Sequence, residues 1–411
     1  MKSLLIFDMS FTLKVIKDLQ LEQTLESRKL DGYFSNVISV HPLSGLSESG
    51  DNYFGKPTVT WLDDSHVFIE GKIAKYRLLR LIPKINFLFA QINLMWLLFK
   101  ITKKNKVDVV RIGDPYYLGL MGWIFSRILR SPLVIRVCSN YDDLYKTAGE
   151  VIYPKLFRFR CIEKIIEQFI FPRCKLVAGA NQNNLEYAIS NGANPKYTAV
   201  FRYGNLISPI HFVEPCNRAS ATHLLSKLGV YGDFIATVSR LEKMKQAEQN
   251  IFVIKHLVEA GYNVKFIFIG DGSMRLDLEE MTDEFHLSRN IFFAGNCTQE
   301  WIARVLPAAR IILSPHMGRG LTEACLAGVP IVAYDNDWQR EIITNGQTGE
   351  LVPDGDWMRM SLRAKYLLDN QDIAIKLGRN ARDSAMNMMS PETLTKIEVA
   401  SYGKLLNEDK I

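Results

Sequence analysis

The 411-residue chain is 47% hydrophobic with a net charge of +6, which suits two or three packed domains and excludes a disordered chain or a small disulfide-stapled one. The charge is uneven: residues 1–205 hold 28 Lys+Arg against 18 Asp+Glu, and the remainder 22 against 26. No basic run is dense or interleaved with stacking aromatics, so nucleic acid is not an expected partner; the basic half suits anionic lipid or a phosphorylated acceptor, or is simply a basic surface.

Cys138, Cys161, Cys174, Cys216, Cys297 and Cys325 form no C-x-x-C pair and have no accompanying His cluster. This spacing argues against a disulfide framework or zinc site and predicts reduced, mostly buried thiols. The first residues meet Asp8 too early for a signal peptide and read as a strand over 4–7, which predicts a cytoplasmic protein.

Helical spacing follows over 13–25, then strands over 37–40, 58–62 and 66–69, with a Ser/Gly-rich loop at 42–56. Residues 78–101 are the most apolar, interrupted by Arg80, Pro83, Lys84, Asn86, Gln91 and Asn93. The uninterrupted run is shorter than the roughly 20 residues that span a bilayer. It reads as a buried helix with a basic last turn; Trp96 and Phe99 beside Lys100, Lys103, Lys104 and Lys106 give the competing reading of an interfacial anchor.

Buried parallel strands are predicted over 108–112 and 133–137, with a crossover helix over 116–130. Asp142 and Asp143 follow the second strand, at the edge where doubly wound sheets bind ligands. Each is an acceptor-side candidate, or a cap for the next helix. A strand over 176–179 and a helix over 181–189 complete this half, and a hinge is expected over 207–216.

The second half opens with a strand over 234–238, and Arg240 and Lys245 sit on the loop behind it. A planar guanidinium and a mobile ammonium on one strand-end loop suit a leaving diphosphate, although a solvated basic loop has the same composition. Strands over 264–269 and 291–294 each run into a glycine turn. The apolar run 311–313 then leads into SPHMGRGLTEACLAG. A glycine turn feeding a helix N-terminus is an anion site, because unpaired N–H groups and the positive dipole end converge there. Glu323, about one turn into that helix, is placed to accept both hydroxyls of a ribose. The competing reading is an ordinary βα turn with a solvated Glu. The Asp-x-Asp triplets at 335–337 and 354–356 could hold a divalent ion, but their polar loops favour turn and cap roles. Residues 391–406 read as a final helix.

The stretch 314–353, with Arg240-Leu241-x-x-x-Lys245, resembles the donor site of retaining glycosyltransferases of family 4. The resemblance covers roughly 175–400, while the first 110 residues match only in general character. It implies the α/β GT-B architecture: two Rossmann-like doubly wound domains facing a central cleft. The expected boundaries are 1–207 for the acceptor-binding domain, 208–390 for the nucleotide-sugar domain, and 391–411 for a terminal helix returning to the first. Arg240 and Lys245 take the catalytic positions. His316, Gly318, Arg319, Gly320, Leu321 and Glu323 take the donor-binding ones. The family's first glutamate falls at Pro315, and its glycine pair after the first strand is absent from Asp8-Met9-Ser10. The implied activity is metal-independent retaining transfer of a sugar, with no cofactor, from a nucleotide-sugar to a glycan or polyprenyl-linked acceptor in cell-surface polysaccharide or lipopolysaccharide synthesis. Peripheral contact with an anionic membrane, at the inner face of the cytoplasmic membrane, is a further expectation. A nucleotide-sugar 2-epimerase on the same fold and an inactive adaptor are the alternatives.

Overall fold

The computed structural model describes residues 2–44, 53–215 and 219–407. Cys216 and most of the glycine-rich part of the 42–56 loop lie outside them. The described chain divides into two units: residues 1–18, 24–202 and 395–411 form the first, and 19–23 with 203–394 the second.

The first unit is built on eight strands: β1 (Ser3–Phe7), β2 (Asn36–His41), β3 (Thr58–Asp63), β4 (His66–Glu70), β5 (Val109–Ile112), β6 (Leu133–Val137), β7 (Leu176–Gly179) and β8 (Thr198–Val200). Their order is β3-β4-β2-β1-β5-β6-β7-β8, parallel except for the edge hairpin β3–β4. Buried Val, Ile and Leu on both faces of β1, β5 and β6 are what a sheet covered on two sides requires. One covering layer includes the terminal helix Pro391–Asn407, whose Tyr402 packs with Leu4, Ile6, Phe34 and Phe201.

The helix expected over 13–25 is interrupted: Leu13–Asp18 and Gln23–Glu26 are separate, with Gln20 at φ 54 between them. The apolar stretch folds as Pro83–Lys104, and here the buried-helix reading needs correction. One face, with Asn86, Ala90, Leu94 and Leu98, is buried, whereas Ile85, Leu88, Ile92 and Trp96 are exposed. By length and composition, Pro83–Lys103 is apolar enough to cross a membrane. Apolar content alone does not set burial, because a helix apolar all round does not reveal which side the core covers.

The second unit has six strands: β9 (Phe234–Val238), β10 (Lys265–Ile269), β11 (Ile291–Gly295), β12 (Ile311–Ser314), β13 (Ile331–Tyr334) and β14 (Glu350–Val352). All pairings are parallel, in the order β11-β10-β9-β12-β13-β14. The chain winds outward from β9 to β11, then restarts beside β9 with β12. That reversal opens a crevice at the carboxyl ends of β9 and β12, where doubly wound sheets bind ligands. In the first unit the corresponding reversal lies between β1 and β5.

Among the described cysteines only Cys174 and Cys325 are buried; Cys138 and Cys297 are partly covered and Cys161 is exposed, so the expectation of mostly buried thiols is corrected.

Candidate functional site

The loops behind β9 and β12 carry the residues singled out from sequence. Glycines seat them. A Cβ on Gly320 would stand 2.3 Å from the Val238 carbonyl oxygen, so only glycine lets the following helix approach β9 so closely. Gly270 and Gly272 likewise press against Ser239 and Leu241, and Leu241 N–H donates to Asp271 O at 3.0 Å. The loop bearing Arg240 is thereby backed by the next βα turn.

The helix Arg319–Leu326 begins at Gly318, its N-cap residue. The space where a Gly318 Cβ would stand is open. The first N–H groups of a helix have no partner inside it, so this opening faces an anion-favouring end. Leu321 is wholly buried, and its N–H donates to Gly318 O at 3.1 Å. Its side chain packs the helix into the core of the second unit. Arg319 reaches back to donate to Leu206 O at 3.2 Å. His316 Nε2 lies 3.4 Å from Asp337 Oδ2.

Glu323 is 6% exposed, and among the described residues no side chain or backbone group hydrogen-bonds or ion-pairs with its carboxylate. The Arg240 guanidinium is exposed and equally unpaired among the described residues. Lys245 is partly buried with no ion-pair partner in contact; burial pushes its ammonium down to about 8, opposed by Asp337 and assisted by Arg240. Two cations on the loop behind β9 and a nearly buried carboxylate on the helix behind β12 thus stand at neighbouring strand ends; a buried polar group of this kind is costly unless a partner completes it.

Sequence reasoning missed what holds this site. Gln339 is wholly buried. Its Nε2 donates to Tyr334 O at 2.9 Å, Ser314 O at 3.1 Å and Pro315 O at 3.2 Å, while its Oε1 accepts from Ser314 Oγ. Trp338 Nε1 donates to Met317 O at 3.3 Å. Asn336 Nδ2 donates to Pro315 O at 2.9 Å and Asp354 Oδ1 at 2.7 Å. These side chains fasten the turn 314–318 to the loop behind β13. A Gln in a polar loop gives no sequence signal, because its partners are backbone carbonyls of another segment.

The Asp-x-Asp loops are structurally engaged. Asp335 pairs with Arg340 at 2.8 Å, and Asp356 caps Trp357–Asp369 by accepting from Arg359 N–H at 2.9 Å. Among the described residues no group of three or more His, Cys, Asp or Glu is arranged to hold a metal ion.

In the first unit the acceptor-side candidates are engaged elsewhere. Asn140, not either Asp, caps Tyr141–Ala148. Asp142 accepts from Arg160 at 2.8 Å and Lys164 at 2.9 Å, so it closes a buried charge cluster with Glu163 and Glu167. Asp143 accepts from Asn140 Nδ2 at 2.7 Å and lies 3.3 Å from Lys146. At the β1/β5 reversal stand two acids not singled out as site candidates. Asp8 pairs with Arg28 at 2.6 Å; burial opposes ionisation, but Arg28 and Ser10 hold it below its ordinary value. Asp114 accepts from the Tyr153 hydroxyl at 2.6 Å, and burial pushes it up to about 7. The signal for Asp114 was its place directly behind an apolar strand beside a glycine.

Residues 229–384 match the model of glycosyl transferases group 1. The matched segment makes up less than half of this chain. It is similar to 2-deoxystreptamine N-acetyl-D-glucosaminyltransferase of Niallia circulans, 28% identical over 43% of this chain and 45% of that one. The chain spans about half the length of the foremost curated relatives, 45%, 44% and 47% for three of them. A longer match, 24% identical over 79% of this chain and 83% of the relative, is the capsular polysaccharide biosynthesis glycosyltransferase CapM of Staphylococcus aureus. Among solved structures, HepE of Anabaena in complex with UDP-glucose superposes with a TM-score of 0.69 at 15% identity, over 98% of this chain and all of that one. The fold is therefore GT-B, and the Arg240, Lys245 and Glu323 loops all lie within the group 1 segment.

Proposed function

We propose that this chain is a retaining, metal-independent glycosyltransferase that moves a sugar from a nucleotide-sugar to a glycan or polyprenyl-linked acceptor in cell-surface polysaccharide or lipopolysaccharide synthesis. The observation that carries the reading is Glu323: a nearly buried carboxylate without a partner, one turn inside the helix that starts at the open Gly318 end. Burying such a group is costly unless a ligand completes it, and a ribose diol does so. The match to glycosyl transferases group 1 supports the class, and CapM supports the pathway. The UDP-glucose held by HepE supports the donor type.

In this reading the diphosphate sits at the Gly318 helix end, and Arg240 and Lys245 stabilise the charge that grows on it. The bond between the sugar's anomeric carbon and the diphosphate oxygen breaks. The acceptor oxygen bonds that carbon on the same face, and its proton passes to the departing diphosphate. Same-face attack preserves configuration without a protein nucleophile. Such an enzyme works on the cytoplasmic side, where nucleotide-sugars are made.

The test is nucleotide release across a panel of nucleotide-sugars by wild type, Arg240→Ala and Lys245→Ala. One donor should be consumed, the configuration retained, and kcat should fall by about 10²-fold in each variant. Turnover should persist in EDTA. Wild-type turnover in both variants would sink the assignment, and loss in EDTA reversed by Mg²⁺ would overturn the metal-free step.

A further inference from the structure

The helix Pro83–Lys104 is apolar on two opposite faces, and only one is used. Ala90 is buried, and Leu94 and Leu98 are buried in the core that contains Val40, Ile69 and Ile112. On the other side Ile85, Leu88, Phe89, Ile92, Trp96 and Phe99 form an exposed stripe at helical spacing. The approach to the helix continues it: Leu78 is 97% and Leu81 93% exposed. Stray exposed apolar residues need no explanation, but a contiguous stripe running the length of a six-turn helix does.

Residues 71–107 contain nine Lys or Arg and no Asp or Glu. Arg77, Arg80 and Lys84 are exposed near the start of the stripe, Lys100 and Lys103 near its end. Lys100 Nζ stands 3.3 Å over the Trp96 ring. An apolar stripe ending in an amphipathic aromatic and flanked by cations has the make-up of an element lying in a lipid interface.

We propose that this face rests on an anionic bilayer surface, with the stripe in the headgroup–acyl boundary and the flanking cations on lipid phosphates. Charge complementarity selects this occupant. A second copy applied face to face would bring two sets of cations together with no acid in the segment to answer them. Spanning is excluded by the buried face: Leu94 and Leu98 are fixed in the protein core, and Asn86 is committed to Lys75 and Tyr76 backbone N–H groups, each at 2.8 Å. The helix lies on the membrane and does not cross it.

The experiment is flotation of the full chain, without any sugar substrate, on phosphatidylcholine vesicles with and without phosphatidylglycerol. Omitting donor and acceptor keeps the outcome independent of the proposed transfer reaction. Wild type should float with the anionic vesicles and not with pure phosphatidylcholine, and should release as salt shortens the Debye length from about 10 Å to about 3 Å. Ile92→Ser/Trp96→Ser should weaken binding by at least about tenfold while leaving the chain folded, because both side chains are more than half exposed in the free protein. Lys100→Gln/Lys103→Gln should weaken only the anionic component. Failure of wild type to float at low salt overturns the proposal. So does unchanged flotation of Ile92→Ser/Trp96→Ser, or a lipid-free dimer that this double variant dissociates.

Discussion

Glu398 and Arg136 form an ion pair at 3.4 Å inside the first unit, although 262 positions separate them. Arg111 lies on the other side of the same carboxylate at 3.9 Å, and Glu398 is buried. Arg136 also donates to Phe201 O and Arg202 O, both at 2.8 Å. The carboxylate thus fastens the terminal helix to two strands of the sheet and to the chain leaving β8.

Removing one partner of such a pair leaves a buried charge uncompensated, which costs about 3–5 kcal/mol. Glu398→Ala should lower the urea midpoint of the first unit accordingly. Donor binding by the second unit should be unaffected at urea concentrations where both variants are folded. A midpoint equal to wild type would show that Glu398 carries no such role.

Lys245 predicts a pH dependence of donor binding. Burial brings its value to about 8 from an ordinary 10.5. Between these values the unfolded chain binds the extra proton, so this group's contribution to apo stability rises with pH across that window. Donor binding runs the opposite way: a diphosphate wants the charged ammonium, so affinity should fall above about pH 8. At that pH binding should take up protons, seen as calorimetric heats that vary with the buffer's ionisation enthalpy. Lys245→Arg stays charged and should show neither the fall nor the uptake. A buffer-independent heat in wild type would refute the assignment.

Asp114 predicts a pH dependence of stability. Its folded value, about 7, lies above the ordinary 3.8 because of burial. The native state then holds the proton more tightly than the unfolded one. The group's contribution is full below about 3.8 and is lost as pH rises through about 7. Asp114→Asn keeps an acceptor for the Tyr153 hydroxyl and cannot ionise. Its melting temperature should gain on wild type between about pH 5 and pH 8. Parallel curves would mean that the carboxyl ionises normally.

Gln339 is the residue on which the turn 314–318 hangs. Gln339→Leu keeps the volume but removes the amide donor to the Ser314 and Tyr334 carbonyls, a cost of about 1–3 kcal/mol for each buried group left without another donor, while the Pro315 carbonyl keeps Asn336 Nδ2. The loosened turn should bind nucleotide less tightly, so KM for the donor rises more than kcat falls. Gln339→Glu, which keeps the acceptor but loses the Nε2 donor, should not rescue it. A stability loss with unchanged KM would confine Gln339 to folding.

The unevenness of what the sequence disclosed has a physical basis. Strands such as Ile311–Ser314 and Lys265–Ile269 were legible because a two-sided sheet demands near-continuous apolar runs, here Ile311-Ile312-Leu313 and Phe266-Ile267-Phe268-Ile269. The Gly318–Glu323 turn was legible because backbone geometry and helix spacing are local. The ion pairs of Asp142 were not legible because its partners, Arg160, Lys164 and Asn191, come from later in the chain, where no local pattern connects them to it. Gln339 was missed for the same reason. The helix Pro83–Lys104 was misread because composition reports how apolar a helix is, not how much of it the fold covers.

Glu323 should act through the donor's ribose. Its carboxylate is nearly buried, lacks a partner among the described residues, and sits at the same helix end as the open Gly318 position. Glu323→Gln keeps size and one acceptor oxygen but removes the charge. Hydrogen bonds to a charged group contribute about 1.5–3 kcal/mol, so donor affinity should fall about ten- to a hundredfold. The competing account is that Glu323 serves the helix itself, in which case Gln would change stability more than binding. The decisive comparison sets the donor against its 2′,3′-dideoxyribose analogue on wild type and Glu323→Gln. If the carboxylate reads the diol, wild type loses affinity for the analogue, whereas the variant barely separates the two ligands. Equal discrimination by both proteins would remove Glu323 from the ribose and send the search for its ligand back to the open face at Gly318.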